Sequence, residues 1–134
     1  GDCRAYLIRG GEVYQITRDH SFVAEQVASG MINAEDAKRH PLRHLVTRAV
    51  SGNATINIDT WDVQAQPGDR VLLCSDGVHG LLTDEELGHI ALKDATIESI
   101  CQELVDAAKA RGGTDNSTAV IVQVHAMPTE SAED

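Results

Sequence analysis

The stretch Arg70-Val71-Leu72-Leu73-Cys74-Ser75-Asp76-Gly77 constrains the fold of this chain more than any other. Val71 to Cys74 is a continuous apolar run behind the turn signal Pro67-Gly68-Asp69, which predicts a strand buried on both faces. The run ends in a carboxylate followed by glycine. A strand tip holds a side chain rigidly, and Gly77 admits a sharp exit or a close backbone approach. The arrangement recurs in mirror order further on, where Gly112-Gly113-Thr114-Asp115-Asn116 leads into a second apolar run, Ala119 to Val124. If the two strands pair antiparallel, the end of the first lies beside the start of the second. Asp76 and Asp115 then share one edge of the sheet. Two converging carboxylates are hard oxygen donors of the kind that suits magnesium or manganese.

The remaining segments alternate strands and helices within one domain. Arg4 to Arg9 and Glu12 to Thr17 read as a hairpin about Gly10-Gly11. Ser21 is placed to cap a helix that Gly30 stops, and Asn33 to cap a second through Arg39, which Pro41 terminates. Ser51-Gly52-Asn53 is a turn, and Thr55 to Val63 alternates as a strand. Residues 20–52 therefore form a small helical excursion between strands. Thr83 and Glu86 make a capping box for a helix to about Leu92. Thr96 caps the longest helix, with Ile97, Ile100, Cys101, Leu104, Val105 and Ala108 at helical spacing and Arg111-Gly112-Gly113 at its end. The last strand runs to about His125, and 126–134 is a disordered acidic tail.

Composition narrows the classes of function. Aromatics make up only 3% of the 134 residues, so the core is built from Val, Leu, Ile and Ala. A formal net charge of -10 argues against sequence-independent binding to nucleic acid or to an anionic membrane surface. No apolar run approaches the roughly 18 residues of a membrane span. Cys3, Cys74 and Cys101 are odd in number and lack a CxxC pair, which predicts reduced thiols in a cytoplasmic protein. Arg39, Arg43 and Arg48 stand in a basic segment, and guanidinium suits a phosphate or phosphoprotein contact. Arg48 reads instead as a partner for a carboxylate.

Five motifs in order resemble the metal-dependent, type 2C (PPM) family of serine/threonine protein phosphatases, in its compact bacterial form. They are Gly-Asp-Cys-Arg-Ala-Tyr (1–6), Thr-Arg-Asp-His-Ser (17–21), His-Pro-Leu-Arg with Thr-Arg-Ala-Val (40–43, 47–50), Pro-Gly-Asp-Arg-Val-Leu-Leu-Cys-Ser-Asp-Gly (67–77) and Gly-Gly-Thr-Asp-Asn-Ser-Thr (112–118). The resemblance spans residues 1 to about 125 and implies an α+β fold, a four-layer α/β/β/α sandwich of antiparallel sheets with its N-terminal part missing. It implies that Asp76 and Asp115 ligate a catalytic pair of Mn2+ or Mg2+ ions and that Asp2 ligates a third, weaker ion. Asn116 would hold the Asp115 loop, 20–52 would be the flap beside the site, and Ser21 and Arg43 would contact substrate.

The implied reaction is hydrolysis of phosphoserine or phosphothreonine by a metal-activated water, with phosphorylated substrates of a Ser/Thr kinase as partners. No protein nucleophile is required. Three departures accompany the resemblance. The family's Asp-Gly-x-Gly-Gly stretch, whose aspartate bridges the metals, is absent from these residues. Gly80 stands where the family usually carries an aspartate four residues after Asp76, which weakens the case for a third ion. Cys3 replaces the usual serine. These departures motivate an alternative, a non-catalytic phosphatase-like interaction domain. With strands beside Arg4 to Arg9 expected to be absent, an exposed sheet edge would offer a route to self-association.

Overall fold

Asp69, in the turn before the central strand, ties together three segments of the sheet. Its carboxylate is 2% exposed and accepts from Arg9 Nε at 2.8 Å, from Arg9 Nη2 at 2.6 Å and from the Gln66 amide at 2.7 Å. Its carbonyl accepts from the Val124 amide at 2.8 Å, and Gly68 N–H donates to Val124 O at 2.8 Å. Arg9 also donates to Gln64 O at 2.7 Å. The residue that the sequence marks only as a turn former is thus a buried anchor. These contacts come from a computed structural model that describes residues 1–52, 55–113 and 115–126. The chain divides into two compact units, Gly1–Cys3 with Arg18–Thr60, and Arg4–Thr17 with Trp61–Asp134.

The second unit is built on a four-stranded antiparallel sheet. In chain order the strands are β1 (Arg4–Arg9), β2 (Glu12–Gln15), β3 (Arg70–Cys74) and β4 (Ala119–Gln123), and their order in the sheet is β2-β1-β3-β4. The register sets Tyr6, Leu72 and Ile121 side by side, and all three are buried at 6% exposure or less. The helices α3 (Asp76–His79), α4 (Asp84–Ala91) and α5 (Ile97–Ala110) follow β3. Val78, Leu82, Leu87, Ile90, Ala91, Ile100 and Leu104 join that row in one apolar cluster. Thr83 and Thr96 cap α4 and α5 through hydroxyls that accept from Glu86 N and Ser99 N at 3.2 Å each. Arg70 closes the far end of α4, donating from Nη1 to Ala91 O at 2.6 Å and to Lys93 O at 2.8 Å.

Two expectations are corrected here. The strand at 71–74 is not buried on both faces. Leu73, Val120 and Val122 lie on the opposite face from Leu72 and are 45%, 49% and 50% exposed. An all-apolar run carries no alternation, so it cannot report that only one of its faces is covered. Nor is Arg4 to Arg9 an edge strand, because β2 and β3 flank it and the edges are β2 and β4. The α+β class holds, and of the four expected layers the described residues build one sheet and one helical layer.

The pairing of Arg9 with the buried Asp69 makes stability depend on acid. Arg9 holds the Asp69 carboxyl below its usual value of 3.8, chiefly through the hydrogen bonds. A depressed carboxyl contributes stability that is present above its unfolded pKa and lost as pH falls through the folded one. Urea midpoints are therefore expected to fall as pH drops below about 4. Arg9→Gln should lower the midpoint at neutral pH and flatten that acid slope. An unchanged slope would remove Asp69 from the account.

The first unit holds α1 (Phe22–Ala28) and α2 (Ala34–Arg39), capped as the sequence predicts by Ser21 and Asn33. Ser21 and Val46 form an isolated antiparallel bridge, Phe22 N–H donates to Leu45 O at 2.9 Å, and Thr47 N–H donates to His20 O at 2.8 Å. Asp59 lies 2.7 Å from His20 Nε2 and 3.1 Å from Arg48 Nη1, so Arg48 does pair with a carboxylate. Residues 55–63 form no strand. Their alternation is real, but no ladder pairs with them and Ile58 is 77% exposed. Asn53 and residues 127–134 of the expected tail lie outside the described residues.

Candidate metal centre

The antiparallel pairing of β3 with β4 places the two chain segments that carry Asp76 and Asp115 against each other. The last paired residues are Cys74 and Ala119. Beyond them Ser75 continues the contact, its N–H donating to Thr118 O at 3.1 Å and its hydroxyl accepting from Thr118 N at 3.1 Å. The same hydroxyl donates to Asn116 O at 3.3 Å. One turn further, Ser117 Oγ donates to Gly77 O at 3.2 Å. A Cβ on Gly77 would stand 2.0 Å from Asn116 O, so only glycine permits this approach.

Asp76 opens the single turn of α3 and is half-buried, held at its backbone by these contacts on either side. Asp115 is exposed, and its Oδ1 accepts from the Asn116 amide at 2.8 Å, an Asx-type contact that shapes the loop. Asn116 takes part through its backbone, its amide donating to Asp115 Oδ1 and its carbonyl accepting from Ser75 Oγ. Ser75 and Ser117 were missed. Their roles arise from the register between two distant segments, and nothing local in the sequence signals them.

The other candidates fall in the first unit. Asp2 is half-buried. Ser21 is 3% exposed and its hydroxyl accepts from Ala24 N at 3.2 Å, which makes it the cap of α1. Arg43 is exposed, with Nη1 donating to His40 O at 3.1 Å. Gly80 ends α3 with its N–H on Asp76 O at 2.8 Å, and a Cβ there would lie 2.6 Å from that oxygen. An aspartate at position 80 would require that turn to open.

The donor chemistry at the β3–β4 end suits a hard divalent cation, since both side chains offer carboxylate oxygens. Among the described residues, no group of three or more His, Cys, Asp or Glu side chains is arranged to hold a metal. The candidate site offers two carboxylates on a braced scaffold among the described residues.

No family model matches the chain. Among curated proteins it is 34% identical to the serine/threonine phosphatase stp of Listeria innocua over 95% of its length and 50% of that protein. Among solved structures, the serine/threonine phosphatase of S. agalactiae superposes with a TM-score of 0.88 at 30% identity, over 93% of this chain and 52% of that one. The catalytic domain of PstP, solved with two manganese ions, matches with a TM-score of 0.79 at 37% identity, over 90% of this chain and 49% of that one. This chain spans about half the length of the stp protein and of both solved chains. By sequence and by fold its relatives are serine/threonine phosphatases of the PPM type.

Proposed function

We propose that this chain supplies the Asp76 and Asp115 edge of a two-metal centre in a phosphatase that hydrolyses phosphoserine and phosphothreonine in proteins. The observation that carries the reading is the locked approach of Gly77 to Asn116, which brings the two aspartate-bearing segments together. Divalent ions bound there would supply Lewis-acid stabilisation of phosphoryl oxygens and an acidified water. The residues of the chain do the rest by position. Asp76 and Asp115 offer carboxylate oxygens, while Ser75, Gly77, Asn116 and Ser117 fix the backbone that carries them. Manganese is the ion found with the related PstP, and magnesium is an equally hard alternative. Asp2 as ligand of a third ion and Ser21 as a substrate contact rest on the resemblance, and Arg43 as a substrate contact rests also on the fit of guanidinium to phosphate.

Manganese binding tests the reading directly. Titration calorimetry of the 134-residue chain should show binding that Asp76→Asn and Asp115→Asn each weaken by about tenfold or more, with unchanged circular dichroism. Equal affinities in all three proteins would remove these residues from the metal site. The two-carboxylate limit favours a second reading, a phosphatase-like interaction domain without turnover. Chelator-sensitive hydrolysis of para-nitrophenyl phosphate by the chain would exclude that alternative.

A further inference from the structure

The first unit carries a surface that metal chemistry does not use. Four of the 11 lysines and arginines, Lys38, Arg39, Arg43 and Arg48, fall between Asp36 and Asp59, where the sequence has no acidic residue. That is a local reversal of sign in a chain of net charge -10. Two of these cations are matched nearby, Lys38 by Glu35 at 3.3 Å and Arg48 by Asp59 at 3.1 Å. Arg39 and Arg43 are exposed, and no carboxylate pairs with either among the described residues. The bond from Arg43 to His40 O leaves its charge uncompensated. Close along the chain stand Leu42, Leu45 and Val46, which are 47%, 51% and 38% exposed.

The backbone that presents them is well tied. Arg43 N–H donates to His40 O at 3.1 Å, Leu45 N–H to Leu42 O at 3.0 Å, and the Leu42 amide to His40 Nδ1 at 3.0 Å. The His40 ring packs on Phe22 with centroids 5.5 Å apart, and Phe22 and His20 bond to Leu45 and Thr47. A preformed surface loses little conformational freedom when it binds.

We propose that residues 39–46 form a docking surface for an acidic, partly apolar segment of another polypeptide. Its carboxylates would meet Arg39 and Arg43, and its apolar side chains would cover Leu42, Leu45 and Val46. A polypeptide is favoured over a nucleic acid or an anionic bilayer because the rest of this acidic chain repels an extended polyanion, whereas a short segment presents its charge locally. Its test is run with EDTA present, so that binding is read in the absence of any metal.

Fluorescence anisotropy would compare a labelled peptide of alternating Glu and Leu with its Gln-for-Glu counterpart and with phosphatidylserine vesicles. The acidic peptide is expected to bind roughly fivefold tighter or more than the Gln peptide, with the difference reduced at high salt. Arg39→Glu with Arg43→Glu should shift the preference to a Lys-for-Glu peptide, and Arg39→Gln with Arg43→Gln should abolish it. Lys109→Ala, on the other unit, should change nothing. Equal binding of the acidic and Gln peptides, indifference to both double variants, or tighter binding to the vesicles would overturn the proposal.

Discussion

Gly77→Ala is expected to lower stability by about 3 kcal/mol or more and to abolish manganese binding by the chain. The added methyl would meet Asn116 O at 2.0 Å, Asn116 C at 2.8 Å and Ser117 Cα at 3.3 Å. All three are backbone atoms, so no side-chain rotation relieves the clash. The segments must part, and parting them breaks the Ser117–Gly77 bond and strains the three hydrogen bonds that join Ser75 to Asn116 and Thr118. The control is Gly52→Ala, at a position with no atom within 4 Å of a new Cβ. Urea unfolding should find that control within about 0.5 kcal/mol of the parent. A wild-type midpoint for Gly77→Ala would mean that the two segments do not approach as described.

Leu72→Ala is expected to cost about 3–4 kcal/mol, a large share of the roughly 5–15 kcal/mol that stabilises a domain of this size. Leu72 is fully buried between Tyr6 and Ile121, in the same cluster as Leu87, Ile100 and Leu104. Its removal would leave a cavity that strands and helices on either side cannot close. The adjacent Leu73→Ala makes the comparison informative. That side chain is 45% exposed on the other face, and its loss should cost about 1 kcal/mol. Both substitutions delete the same atoms from neighbouring positions of one strand. If thermal unfolding gives equal losses, the helices do not cover one face alone.

Local signals carried much of this fold. Ser21, Asn33, Thr83 and Thr96 cap helices where expected, because a hydroxyl or amide accepting from the third amide onward is a property of four consecutive residues. The stripe at Ile100, Leu104 and Ala108 is buried as its spacing requires. The capping box at Thr83 is half-formed, since Glu86 Oε1 meets the Thr83 hydroxyl at 3.2 Å and not the backbone amide.

The candidate site was legible to the same depth. An apolar run ending in Asp-Gly, mirrored by Asp-Asn before a second run, predicts a shared sheet end for the segments carrying Asp76 and Asp115 on condition that the strands pair antiparallel, as β3 and β4 do. The sequence by itself determined the two strands and the aspartate beside each, because apolar content is written in contiguous residues, while their antiparallel pairing came from the structure. Only the tertiary structure decided which face of β3 is covered, that β1 lies inside the sheet, and that residues 55–63 form no strand. It alone revealed the Arg9–Asp69 anchor, whose partners stand 60 positions apart, and the serines that fasten the Asp76 segment to the Asp115 loop. Each depends on which distant segment arrives as neighbour, and an amphipathic or apolar pattern is equally content with a strand, another layer or water on its far side.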